Sequence, residues 1–109
     1  MAESRGLDLI GESQDARVEE ALAVLSAAAD PVRWTVLRHL ARRGTSCVCD
    51  LQERAPVAAN LLSYHLKVLR DTGLVTTSRR GRWIDYSLAE DAPRRLNDAL
   101  PVGTAQVSP

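Results

Sequence analysis

The hydrophobic period of this chain changes at Gly73, and that change limits its possible folds more than any other feature. As far as Thr72 the apolar residues recur every three or four positions; after Gly73 they give way to short β-branched runs. Val18, Leu22 and Leu25, at i, i+4 and i+7, predict a first helix beginning at Ala16. Asp30-Pro31 closes it and opens a second, because Asp is a favoured N-cap and Pro is tolerated at the first helical position. Val32, Val36, Leu37 and Leu40 give that helix its apolar stripe, while Arg42, Arg43 and Gly44 suit its C-terminal end. A short third helix over 46–54 has Val48 and Leu51 as its inward pair, and Pro56 separates it from a fourth over 57–72. Segments 74–78 (LVTTS) and 82–88 (RWIDYSL) predict two strands joined by an Arg-Arg-Gly turn at 79–81. A last helix over 92–100 completes the pattern. Helix–turn–helix followed by an arginine-tipped hairpin is a winged helix–turn–helix: mainly α, about five helices, with a β-hairpin wing.

At 109 residues the chain has room for one domain, expected over 15–100 between flexible tails at 1–14 and 101–109. No run approaches the roughly 20 apolar residues that cross a bilayer, so no membrane partner is expected. The opening MAESRGLDLIGESQD lacks the basic start and apolar core of a secretion signal, which leads to the expectation of a cytoplasmic protein. No Ser/His/Asp set, Gly-rich phosphate loop or paired carboxylate appears, and Cys-x-Cys is not the Cys-x-x-Cys of thiol oxidoreductases. Catalysis is not expected, nor is a required cofactor.

Fourteen basic and fourteen acidic residues give zero formal charge, which taken whole argues against a nucleic-acid partner. The zero is a cancellation. Residues 1–30 carry two cations against seven carboxylates, a net of −5, and residues 31–90 carry ten against five, a net of +5. The basic middle coincides with the helix–turn–helix and wing, where a nucleic-acid surface would lie. On a helical wheel at 100° per residue, Ala58, Ala59, Leu62, His65, Leu66 and Leu69 share one side of the fourth helix. Asn60, Tyr64, Lys67 and Asp71 collect on the other, with Ser63 at its edge. Asn60, Ser63, Tyr64 and Lys67 are therefore the groove-facing candidates, and Arg79, Arg80 and Arg82 the phosphate-gripping ones. His65 and His39 are expected to be structural, Trp83 and Tyr86 to pack the wing onto the core, and Trp34 to serve an interface or the core.

The segments ADPVRWTVLRHL (29–40), CVCDL (47–51), LLSYHLKVLRDTGLV (61–75) and RRGRWIDYSL (79–88) resemble the ArsR/SmtB family of bacterial metal- and metalloid-responsive repressors. The match covers about residues 16–100. It implies a homodimer built from the first and last helices, with Val18, Leu22, Leu25, Leu96 and Leu100 as interface residues. It also implies double-stranded operator DNA as partner and release of that DNA by an inducer. CVCDL is similar to the arsenical-repressor version of the third helix, which makes Cys47 and Cys49 the sensing thiolates and trivalent arsenic or antimony the favoured inducer, with Cd or Zn as alternatives. The pattern departs in one place: where a third cysteine follows three residues after the second, this chain has Gln52.

Positions i and i+2 of a regular helix lie 200° apart, so one ion reaches both sulfurs only if the first turn is not helical. Soft thiolates select soft ions, with Asp50, His39 or water able to complete the set. Other readings stay open: for the cysteines, small half-buried residues at a helix start or thiol oxidation; for the chain, another inducing metal such as Ni, or a winged-helix protein–protein interaction module without an operator. For oxidation, an intramolecular pair at this spacing is expected to be strained, which favours an inter-subunit bond or sulfenylation.

Overall fold

The computed structural model describes residues 12–101. Helix α1 (Glu12–Ala28) is followed by α2 (Pro31–Arg43), strand β1 (Ser46–Cys47), α3 (Val48–Arg54) and α4 (Ala59–Asp71). Strands β2 (Val75–Arg80) and β3 (Trp83–Leu88) and helix α5 (Ala92–Ala99) complete the order. Five helices and a hairpin are thus present among the described residues, the winged helix–turn–helix read from the periodicity. Helix α1 takes in the last three residues of the expected N-terminal tail; residues 1–11 and 102–109 lie outside the described residues.

The start of α2 follows the sequence closely. Asp30 sits in an extended conformation, and its Oδ1 accepts from the backbone N–H of Val32 (2.8 Å) and Arg33 (3.1 Å). Partial burial raises the Asp30 pKa, but those N–H donors and the Arg33 charge lower it by more, so the carboxyl lies below its usual range. At the other end Gly44 takes φ +83°, a conformation open to glycine at little cost, and its N–H bonds back to Leu40.

The core is a Leu/Val/Ala layer. Val24, Ala27 and Ala28 of α1, Val36, Leu37 and Leu40 of α2, and Leu51 of α3 meet Leu62, Leu66 and Leu69 of α4. Leu74, Val75 and Tyr86 join them from the hairpin. Val18 and Leu22 do not belong to this core. The inward stripe of α1 runs through residue 24 and small alanines, leaving Val18 and Leu22 on the outside. On α4 the buried side is Leu62, His65, Leu66 and Leu69; Ala58 and Ala59 are exposed because the helix starts two residues later than the pattern suggested.

The sheet runs β1-β3-β2, all antiparallel. Two boundaries differ from the sequence reading. Ser46 and Cys47 do not begin a helix: they pair with Tyr86 and Asp85 of β3, and α3 starts at Val48. Arg79 and Arg80 lie within β2 opposite Ile84 and Trp83, so the hairpin loop is Gly81-Arg82 alone. Gly81 supplies φ +64° at the first of two loop positions, as a type II′ hairpin turn requires.

Candidate metal centre and nucleic-acid interface

Cys47 caps α3 in an extended conformation (φ −81°, ψ 168°), whereas Cys49 is within its first turn. That break in the helix cancels the 200° separation. The Sγ atoms of Cys47 and Cys49 and a carboxylate oxygen of Asp50 all lie within 4.8 Å of one another, the one such ligand cluster among the described residues. The two sulfurs are joined as a disulfide, their Cα atoms 5.4 Å apart. The intramolecular pair that spacing alone disfavoured is therefore the one observed, because residue 47 leaves the helical path. Cys47 is half-buried, and Cys49 and Asp50 are exposed. A disulfide offers no thiolate, so these sulfurs can act as soft-ion ligands only when reduced.

Gln52, at the place of the missing third cysteine, is engaged elsewhere. Its side-chain amide donates to the Val57 carbonyl and braces the turn between α3 and α4. His39 lies outside the three-residue cluster but lines a recess shared with Asp50, Ser46 and Arg43.

On α4, Asn60, Ser63, Tyr64 and Lys67 are all exposed. Lys67 holds Asp71 at 2.7 Å, an i,i+4 surface pair that a stronger anion can displace at little cost. The hydrogen bond from Lys67 lowers the Asp71 pKa. His65 is buried against the core side of α4. Arg33 of α2 donates to its Nδ1 at 2.8 Å and, through Nε, to the Ala27 carbonyl at 2.6 Å. A guanidinium can only donate, so Nδ1 accepts, and His65 is the satisfied structural histidine anticipated from its angle.

The three wing arginines are not equivalent. Arg80 makes a two-pronged contact with Asp85, Nε to Oδ2 at 2.9 Å and Nη2 to Oδ1 at 3.0 Å. The hydrogen bond from Arg80 lowers the Asp85 pKa, and the same bond raises that of Arg80. Arg79 and Arg82 make no ion pair among the described residues. Tyr86 packs into the core as expected, whereas Trp83 and Trp34 stand out into solvent.

Of the residues on α1 and on or just after α5 expected at a dimer interface, Val18, Leu22 and Leu100 are exposed. Leu25 and Leu96 are half-buried, Leu96 against the core. The two helices pack together, bridged by Arg95, which reaches Glu20 and the carbonyls of Thr72 and Gly73. A feature the sequence reading passed over lies on α2. Trp34, Arg38 and Arg42 follow one another at i, i+4 and i+8, beside a parallel row of Thr35, His39 and Arg43. That spacing was the available signal.

The chain thus has the fold of winged-helix regulators, with a disulfide-bonded Cys47–Cys49 pair at the start of the first helix of its helix–turn–helix. Residues 30–77 match the family model described as bacterial regulatory protein, arsR family. The arsenical resistance operon repressor of Bacillus subtilis (strain 168) is 43% identical over 65 residues, 60% of this chain. That stretch is 62% of the Bacillus protein, so the chain spans less than two thirds of it. The biofilm growth-associated repressor of Agrobacterium fabrum is 35% identical over 88 residues, 81% of this chain and 74% of that protein. Among solved structures, the homodimeric winged helix-turn-helix DNA-binding domain of a possible ArsR-family regulator from Mycobacterium bovis superimposes with a TM-score of 0.70. It shares 26% identity and covers 79% of this chain and 80% of its own. The chain belongs to the arsR family of bacterial regulatory proteins. No helix among the described residues is long and apolar enough to cross a membrane.

Proposed function

We propose that the protein is a homodimeric, cytoplasmic transcriptional repressor that leaves its operator when a thiophilic metalloid or metal ion is held by reduced Cys47 and Cys49. The observation that carries the inducer assignment is the convergence of Cys47, Cys49 and Asp50 at the junction of β1 and α3. The donor set fits a soft ion: two sulfurs and one carboxylate, exposed enough to be reached. The reduced Cys47 and Cys49, with Asp50 beside them, would hold such an ion, which would supply a soft Lewis acid there. Trivalent arsenic or antimony prefers a third thiolate, for which Gln52 offers nothing, so a small cellular thiol completes the set; Cd or Zn takes Asp50 or water instead.

In this reading α4 lies in the major groove, with Asn60, Ser63 and Tyr64 toward base edges and Lys67 toward phosphate. Arg79 and Arg82 grip the flanking backbone, and Arg80 does so after exchanging Asp85 for a phosphate. Val18, Leu22 and Leu100 gain cover from the second copy, with Leu25 and Leu96 at the margin. An ion held by Cys47 and Cys49 would act at the start of α3, the helix that buttresses α4. The arsenical-resistance names of several relatives support the choice of inducer.

A second reading is favoured by the joined sulfurs: oxidation of the dithiol by a peroxide-class oxidant. Two electrons and two protons pass to the oxidant, giving two waters per hydrogen peroxide and the Cys47–Cys49 bond. One experiment separates the two. Arsenite, antimonite, Cd, Zn and Ni are titrated into the reduced protein–operator complex, and hydrogen peroxide into a parallel sample. The expected result is dissociation by a thiophilic ion in the wild type and none in Cys47→Ser/Cys49→Ser. Release by peroxide alone transfers the function to the second reading. If the double variant is released as readily as the wild type, the cysteines are not the sensor.

A further inference from the structure

The sequence places a net of +5 across residues 31–90, and the structure shows where that charge collects. Of the ten cations there, Arg33 is committed to His65 and the Ala27 carbonyl, Lys67 to Asp71 and Arg80 to Asp85. Four of the remaining seven meet in one place that is neither the exposed face of α4 nor the wing. Arg38, Arg42 and Arg43 of α2 and Arg54 of α3 line a recess of about 380 Å³ together with Trp34 and His39. No carboxylate lines it, and none of the four guanidiniums makes an ion pair among the described residues. Asp50 and Glu53 border the adjoining recess instead, which shares His39, Arg43 and Arg54.

A structural explanation exists for part of this cluster. Arg42, Arg43 and Arg54 fall in the last turns of their helices, where cations complement the dipole. Each helix end, however, contributes only about half a negative charge, roughly one in total against four guanidiniums. Helix capping accounts for a minor share, and Arg38, in the middle of α2, has no such role. Gathering like charges around a concavity is unfavourable unless an anion shares it. Guanidinium forks suit phosphoryl oxygens in particular, and the exposed indole of Trp34 (58% exposed) gives the recess an aromatic wall.

We infer that the α2–α3 recess, lined by Arg38, Arg42, Arg43, Arg54 and Trp34, is a binding site for a phosphoryl anion, separate from the thiol cluster and from the exposed face of α4. The phosphoryl group has two available sources: a backbone phosphate of the bound DNA, beyond the contacts of α4 and the wing, or a free phosphorylated small molecule. The site itself does not depend on the repressor reading; only the DNA source does.

The test uses the full chain with Trp83→Phe, leaving Trp34 as the sole indole reporter, and inorganic pyrophosphate as probe. Saturable change of Trp34 fluorescence is expected, with affinity at least tenfold weaker in Arg38→Gln/Arg42→Gln and unchanged in Arg79→Gln. Arg38→Lys/Arg42→Lys, which keeps charge but loses the fork, should fall between. A second arm measures DNA affinity against salt. If DNA phosphates fill the recess, Arg38→Gln/Arg42→Gln lowers the log–log salt slope by about two units. If a free phosphorylated molecule is the occupant, pyrophosphate affinity falls while the slope stays put. Non-saturable fluorescence together with an unchanged slope overturns the proposal. Because the pyrophosphate arm needs no operator, absence of DNA binding refutes the repressor reading without touching this one.

Discussion

Helices α2 and α4 are each 13 residues long, yet they are held in place by different means. The start of α2 is fixed by its own side chains: Asp30 accepts from two backbone N–H groups and Pro31 presets the first turn. The start of α4 has no such device, since Ala58 at its N-cap offers no side-chain acceptor. What holds α4 is its flank, where Leu62, His65, Leu66 and Leu69 are buried. The exposed faces differ as well. That of α2 carries arginines and an indole, and that of α4 carries Asn60, Ser63 and Tyr64 with one paired lysine. A helix with no N-cap side chain, positioned by packing and by the Arg33–His65 hydrogen bond, is sensitive to whatever moves its support, and α3 is the neighbour before it in the helix–turn–helix. A helix locked by its cap is a fixed platform, suited to carrying charge.

This contrast is open to direct attack. The largest effect should come from the flank of α4. Leu62 is fully buried, and Leu62→Ala is expected to cost about 2–5 kcal/mol by lost transfer energy plus a cavity. Thermal unfolding should register it as a fall of roughly 10 °C or more, at 4–8 °C per kcal/mol for a domain this size. A drop of only a degree or two would mean that α4 is not held by its flank.

Removing the cap of α2 should cost less. Asp30→Ala is expected to destabilise by about 1 kcal/mol at pH 7. Because the folded-state pKa of Asp30 is lowered, its contribution is fully present above the ordinary carboxylate value and disappears as pH falls through the lower folded one. The gap between wild type and Asp30→Ala in denaturant melts should therefore close below about pH 4. A gap that persists into strong acid would point to lost packing instead of a lost charged cap.

The smallest effect runs the other way. Ala58 already has the extended backbone of an N-cap (φ −57°, ψ 146°), so Ala58→Ser should stabilise by about 0.5–1 kcal/mol. No gain in the melting midpoint would show that the first turn of α4 is already satisfied by another donor–acceptor arrangement. The wing gives a parallel comparison in solution. Arg79→Ala and Arg82→Ala should each lower the salt slope of DNA binding by about one unit, and Arg80→Ala by less, because Asp85 already engages it.

Much of this was readable from the chain. The limits of α2 follow from Asp30-Pro31 and Gly44, and the two sides of α4 from the spacing of its leucines. The places where the reading failed share a cause. Cys47 left the helix because its backbone pairs with Asp85, a partner far along the chain that no local pattern announces. Arg79 and Arg80 looked like a turn because Gly follows them, yet glycine's positive φ was needed one step later, with Arg82 as the second loop residue. The thiol cluster was legible as residue types, not as geometry. The arginine recess was legible as surplus charge and as the i, i+4, i+8 row of Trp34, Arg38 and Arg42, not as a concavity.

The two-residue strand β1 has one more consequence. Cys47 draws its backbone hydrogen bonds from a sheet and Cys49 from a helix, so the two sulfurs sit on opposite sides of a joint. A clasp across a rigid rod does nothing, but a clasp across a joint sets its angle. Element ends also open at lower free energy than element centres, so this is where modest binding energy produces the most movement. Asp85 pairs with Cys47 on one side and holds Arg80 with its carboxylate. The same joint therefore lies a single residue away from the wing's own electrostatics.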